Sequence, residues 1–196
     1  MNKVNHIKTN ESIEKVYEEL NKLFYEVDNA FSRVAEQYPS LVHCRSGCND
    51  CCFALFDISF IEACNLANVF RGLPRNERRK AIHLAEKFLK TWESLGPNPS
   101  IEDLSNARVR CPLLGEDGLC LCYEARPVNC RTYGVPTSIE GKGHVCGLSG
   151  FKAGNTYPTI NLTNLQIHLF QLSKAASFDP EDASRRFTIA QVILGS

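Results

Sequence analysis

Four cysteines fall within nine residues, Cys44-x3-Cys48-x2-Cys51-Cys52. Cys111, Cys120, Cys122, Cys130 and Cys146 follow, and Cys64 makes ten in a chain of 196 residues. Thiols at this density form disulfides, bind metals, catalyse, or pack as small hydrophobes, and the compartment separates the first two. The chain begins Met1-Asn2-Lys3-Val4-Asn5-His6 and passes into a charged amphipathic stretch where a secretory signal would be apolar. It has no run of about eighteen apolar residues, the length that spans a bilayer. A reducing, cytoplasmic setting is therefore expected, and there ligation of a metal ion or an iron–sulfur cluster outweighs disulfides and inert burial for the set as a whole.

Loops of two or three residues let successive sulfurs converge on one centre. Were the segment helical, Cys44, Cys48, Cys51 and Cys52 would still share a face. Gly47 and Asn49-Asp50 favour a turn, whose backbone N–H groups can point at sulfur. Adjacent side chains diverge, so Cys51 and Cys52 are awkward partners on one small ion, and the pair points to two centres.

The elements that must position these thiols are helical at both ends. Ile13, Val16, Tyr17, Leu20, Leu23, Phe24, Val27, Phe31 and Val34 recur at helical spacing over 12–38, and Pro39 stops the pattern. Ser59 with Glu62 forms a capping-box signature for a second helix reaching Arg71-Gly72, with Cys64 inside it. Pro74 opens a third that places Ala81, Ile82, Ala85, Phe88, Leu89 and Trp92 on one face. Asn164 to Ser177 reads as a fourth. Asp179-Pro180-Glu181-Asp182, running on into Phe187, Ile189, Ala190, Val192 and Ile193, reads as a fifth. The expected fold is thus mainly α: one domain over 1–196, with an N-terminal amphipathic helix at 12–38 and a C-terminal helical segment at 160–194. Between them lies an irregular, Cys-rich middle at about 43–150, organised by a metal or cluster. From Asn106 to Pro158 neither period is sustained and glycines recur, so this stretch needs another source of order, which bound metal supplies. The segment from Gly96 to Ser105 reads as a joint.

The blocks Cys44-Arg45-Ser46-Gly47-Cys48-Asn49-Asp50-Cys51-Cys52, Cys111-Pro112-Leu113-Leu114, Gly118-Leu119-Cys120 and Tyr123-Glu124-Ala125-Arg126-Pro127-Val128-Asn129-Cys130-Arg131 resemble, in order and spacing, the bacterial cysteine-cluster family of zinc- or iron-chelating domains. Flagellin lysine-N-methylases resemble the same family. The likeness covers Cys44 to Cys146 and leaves the helical ends outside. It implies metal ligation by Cys44, Cys48, Cys51, Cys52, Cys111, Cys120 and Cys130, with Cys146 as a downstream member. Eight thiols fill two four-sulfur sites, or one cluster with partners to spare. Cys122 departs from the family pattern, where an aliphatic residue is usual. Cys64 has no counterpart in it and reads as a small buried hydrophobe.

Four thiolates around Zn²⁺ or a [4Fe–4S]²⁺ core leave a net charge of about −2, which nearby donors must offset when it is buried. Arg126 and Arg131, bracketing Cys130, are the candidates, with ordinary surface salt bridges as their bland alternative. His43 and His144 adjoin the thiol segments, but each reads first as an exposed or hydrogen-bonded histidine. His6, His83 and His168 are background. No Ser/His/Asp order, paired-carboxylate signature, phosphate loop or dinucleotide fingerprint is present. Lys plus Arg and Asp plus Glu each number 22, so the overall field favours neither nucleic acid nor an anionic membrane, and neither is expected as a partner. The basic run from Arg71 to Lys80 reads as a solvated helix face.

Zinc and iron both remain open. Structural zinc usually takes two Cys-x2–4-Cys pairs, whereas Cys44-x3-Cys48-x2-Cys51 has the three-thiol spacing with which radical S-adenosylmethionine enzymes hold a [4Fe–4S] cluster, which favours iron modestly. Against a radical enzyme stand the short chain, the missing strand–helix alternation, and Asp50 where an aromatic residue commonly precedes the third cysteine. Three functions follow: a cytosolic metal- or cluster-binding protein; a zinc-stabilised interaction module with an unknown protein partner; and, implied by the resemblance to flagellin lysine-N-methylase, a cluster-dependent methyltransferase that uses S-adenosylmethionine on a protein lysine.

Overall fold

A computed structural model describes residues 11–96, 107–152 and 154–196 of the chain. The fold is mainly helical. Helix α1 (Glu11–Gln37) turns Val16, Leu20, Leu23, Phe24 and Val27 into the main core. Its last turns place Val34 in a satellite cluster with Val135 and Phe151. Burying each such side chain contributes about 1.5–3 kcal/mol, so one amphipathic stripe ties the ends of the fold to the edge of its middle.

Helix α2 (Phe60–Arg71) starts as its residues require. Ser59 Oγ accepts from the Glu62 N–H, and the Glu62 carboxylate accepts in return from the Ser59 N–H at 2.8 Å. Cys64 lies in this helix at 2 % exposure, within the core cluster. Helix α3 (Arg75–Ser94) follows Pro74, with Ala81, Ala85 and Phe88 buried. Ile82, expected on the same face, is 37 % exposed, because one residue of helix turns the side chain by about 100° away from Ala81.

The middle holds more regular structure than its sequence promises. A one-turn helix, α4 (Val128–Arg131), is followed by a hairpin of β2 (Thr137–Ile139) and β3 (Lys142–His144), and β4 (Ile160–Asn161) pairs parallel to β2. Glu140 and Gly141 both take positive φ, 49° and 77°, the conformation of a two-residue hairpin turn whose twist suits the strands. The Glu140 N–H is held at 2.8 Å by Thr163 Oγ1, which ties this turn to helix α5 (Leu162–Ala176), itself capped by Asn161.

The C-terminal stretch read as one helix is two short ones, α6 (Pro180–Ser184) and α7 (Ile189–Leu194), separated by β5 (Arg186–Phe187). β5 pairs antiparallel with β1 (Ile58–Ser59), and Thr188 opens a fresh capping box with Gln191. Pairing with a strand distant in sequence overrides the local helical periodicity here. α7 then packs on α3 and α2. No helix among the described residues is long and apolar enough to cross a membrane. The expected joint at Gly96–Ser105 lies outside the described residues except for Gly96, and the expected N-terminal features at Met1–His6 lie outside them entirely.

Candidate metal centre

Nine of the ten cysteines line one cavity of about 680 Å³: Cys44, Cys48, Cys51, Cys52, Cys111, Cys120, Cys122, Cys130 and Cys146. The exception is Cys64. All eight cysteines selected in the sequence therefore line a common space, although they come from four separated segments. All ten thiols are free.

Each segment is held by its own backbone. A 3₁₀ turn at Asp50–Phe53 carries Cys51 and Cys52, and the Cys52 carbonyl accepts from the Cys111 N–H at 2.6 Å. Cys111 and Cys120 are joined by a small antiparallel loop: Leu114 bridges Cys120, Gly115 N–H donates to the Leu119 carbonyl, and Leu121 N–H donates to the Leu113 carbonyl. Gly118, at φ 79°, makes its turn. Cys130 rides on α4, whose first N–H, from Val128, is accepted by Glu62 Oε1 at 2.8 Å. One buried carboxylate thus caps α2 and α4 together and docks Cys130 against α2. Cys44 rests against Gly134, at φ 102°, and lies 3.4 Å from the Tyr133 carbonyl.

Peptide N–H groups two residues on act on three of the thiols. Leu148 N–H lies 3.4 Å from Cys146 Sγ, and the neighbouring Leu113 and Cys122 backbone N–H groups favour the thiolate forms of Cys111 and Cys120. Such bonds stabilise a thiolate and are the donors that tune sulfur-ligated centres. Burial works against them. It pushes Cys111 up to about 12 and Cys130 well above the ordinary thiol value, while Cys44, exposed at the surface, is raised by partial desolvation; neighbouring thiols add to each rise. Cys51 is moved down, first by a hydrogen bond from Cys52, against burial and with help from the Arg126 charge; Cys52 is moved up in turn. Burial and mutual proximity thus keep most of these thiols protonated.

The two arginines divide their roles. Arg126 stacks 3.7 Å over the Tyr123 ring, and its charge favours the thiolate forms of Cys51, Cys120 and Cys130. Arg131 is buried over Phe24, paired with Asp28, and donates to the Glu124 and Arg126 carbonyls. Arg131 therefore fastens the loop that bears Arg126 to α1. His43 bonds the Leu148 and Ser40 carbonyls, and His144 is exposed on β3. Cys122 is 1 % exposed and joins the main core as well as the cavity wall.

Among the described residues, no three His, Cys, Asp or Glu side chains already stand as the ligands of one ion. The nine cysteines share the lining of one cavity without forming a ligand set in this arrangement. Sequence reasoning did not count Asp50 as a site residue, reading it as a turn former and as a departure from the radical-enzyme spacing. Its carboxylate is 6 % exposed and is held by Arg108, by the Tyr133 hydroxyl at 3.1 Å and by the Cys146 thiol at 3.4 Å. A carboxylate inside a Cys-x2-Cys loop was the available signal. Compared with family models, with curated proteins and with solved structures, the chain matches none of them.

Proposed function

We propose that this protein binds a metal ion or an iron–sulfur cluster through cysteine thiolates, with Cys44, Cys48, Cys51, Cys52, Cys111, Cys120, Cys130 and Cys146 as the donor set and Arg126 offsetting their charge. The observation that carries this reading is nine cysteines from four chain segments lining one cavity, with the Leu148 N–H donating to Cys146 Sγ. A core does not need so many polarizable, oxidisable groups lining one space, and a reducing compartment would not pair them. The middle, with short strands and single helical turns, draws its order in part from that centre. The resemblance to cysteine-cluster chelating domains agrees with this reading but does not carry it.

Anaerobic purification followed by elemental analysis and visible absorption tests the proposal. Iron with sulfide and a brown colour assigns a cluster, colourless protein with zinc assigns a zinc centre, and neither element above trace overturns the reading. One observation favours the methyltransferase alternative: the cavity, at about 680 Å³, falls in the roughly 300–1,000 Å³ range of organic-ligand pockets and leaves room beside a centre for S-adenosylmethionine. Equilibrium binding of that compound to the metal-loaded protein decides it, since absence of binding at millimolar concentration removes the alternative and leaves the metal reading intact.

A further inference from the structure

Resting on the proposed metal binding, the geometry points to two separate centres and makes Asp50 the fourth donor of the outer one, beside Cys44, Cys48 and Cys146; the inner one takes Cys52, Cys111, Cys120 and Cys130. Asp50 and Cys52 both lie in the turn at Asp50–Phe53.

The neighbours of each thiol divide the same way. Cys44 feels Cys48, Cys146 and Cys51, whereas Cys52 and Cys130 feel Cys51, Cys111 and Cys120. Cys51 neighbours both sets, and in this assignment Asp50 replaces it among the eight donors. In the outer set Cys146 Sγ and Asp50 Oδ2 are 3.4 Å apart. Two ligands of one tetrahedral zinc, with Zn–S of about 2.3 Å and Zn–O of about 2.0 Å, stand about 3.5 Å apart. An ion can therefore take the place of the thiol proton between these two atoms without moving either backbone. Asp50 is also held for the task. Arg108 occupies Oδ1, and Oδ2 faces the sulfur with the Tyr133 hydroxyl at 3.1 Å. The Tyr133 carbonyl lies 3.4 Å from Cys44 Sγ, at the backbone end of the residue whose hydroxyl meets Asp50. Carboxylate oxygen is harder than thiolate, so the outer centre suits a divalent cation of the zinc type, and a mixed S₃O set gives it weaker affinity than the all-sulfur inner set.

The test is anaerobic titration of the full-length apo-protein with cobalt(II) alone, following sulfur-to-cobalt charge transfer and bound equivalents. Wild type is expected to bind two equivalents. Cys48→Ser, at an exposed position, and the near-isosteric Asp50→Asn should each bind one, and the double variant should still bind one, since both remove the same centre. Cys120→Ser should bind one, and Cys120→Ser with Cys48→Ser none. Arg108→Ala, which removes a partner of Asp50 without touching a donor, should keep two. One equivalent in wild type, or two in Asp50→Asn, overturns the inference while leaving metal binding standing. No cobalt bound by wild type or any variant overturns both centres as divalent-ion sites, while elemental analysis of the anaerobically purified protein decides the metal reading itself. Loss of one equivalent in Arg108→Ala as well as in Asp50→Asn makes Asp50 a positioning residue and overturns its role as a donor.

Discussion

Replacing Gly134 by alanine tests whether Cys44 stands where a centre needs it. At φ 102° a residue with a side chain is held in a sparsely populated region, costing about 1–3 kcal/mol. The new Cβ would fall far inside contact distance of Cys44 Sγ but only 3.6 Å from Cys44 Cβ. The cysteine backbone can therefore stay, and the sulfur must swing to another χ1 well. Gly141→Ala is the control: its φ of 77° carries a comparable backbone penalty, and a Cβ there meets nothing within 4 Å. For a domain of this size a loss of about 1–3 kcal/mol lowers Tm by roughly 2–12 °C. Both variants should show a fall within that range, read by calorimetry of the metal-free protein. Only Gly134→Ala should also lose metal, by one equivalent in elemental analysis, and lose the extra Tm that metal confers on wild type. Equal metal content in the two variants would refute the placement of Cys44, and an unchanged Tm for Gly134→Ala would refute the backbone argument.

Four more outcomes are expected. Glu62→Ala should destabilise by about 2–4 kcal/mol in urea unfolding, since it removes a helix cap and strands the buried Val128 N–H. Cys64→Ala should cost only about 1 kcal/mol and leave bound metal unchanged in elemental analysis, because that thiol packs in the core away from the cavity. Tyr17 is pushed up to about 12, chiefly by burial. Its folded value exceeds the unfolded one near 10, so the stability tied to the neutral phenol is complete below pH 10 and falls by about 2 kcal/mol as pH rises to about 12. Urea midpoints of wild type and Tyr17→Phe across that window should diverge accordingly, and parallel curves would count against it. Arg126→Gln should weaken metal affinity without changing stoichiometry, since it removes charge beside Cys51, Cys120 and Cys130; an unchanged Kd would deny it that role.

Much of this protein can be read before it is folded, wherever the information is local. Ser59 with Glu62, Pro74 and the stripe from Val16 to Val27 mark helices because caps and a 3.6-residue period act within a few residues. The density and spacing of the cysteines likewise point to ligation before any contact is known. The folded chain decided what depends on residues far apart. Arg186 and Phe187 leave a helical pattern because Ile58 and Ser59 offer them strand partners. Glu62 proves to cap a second helix through Val128, and Arg131 is drawn to Asp28. Asp50 meets Cys146 across 96 positions of sequence. Periodicity and capping energies are short-ranged and written into neighbouring residues, whereas the company a buried carboxylate or thiol keeps is settled only when hydrophobic burial brings distant segments together.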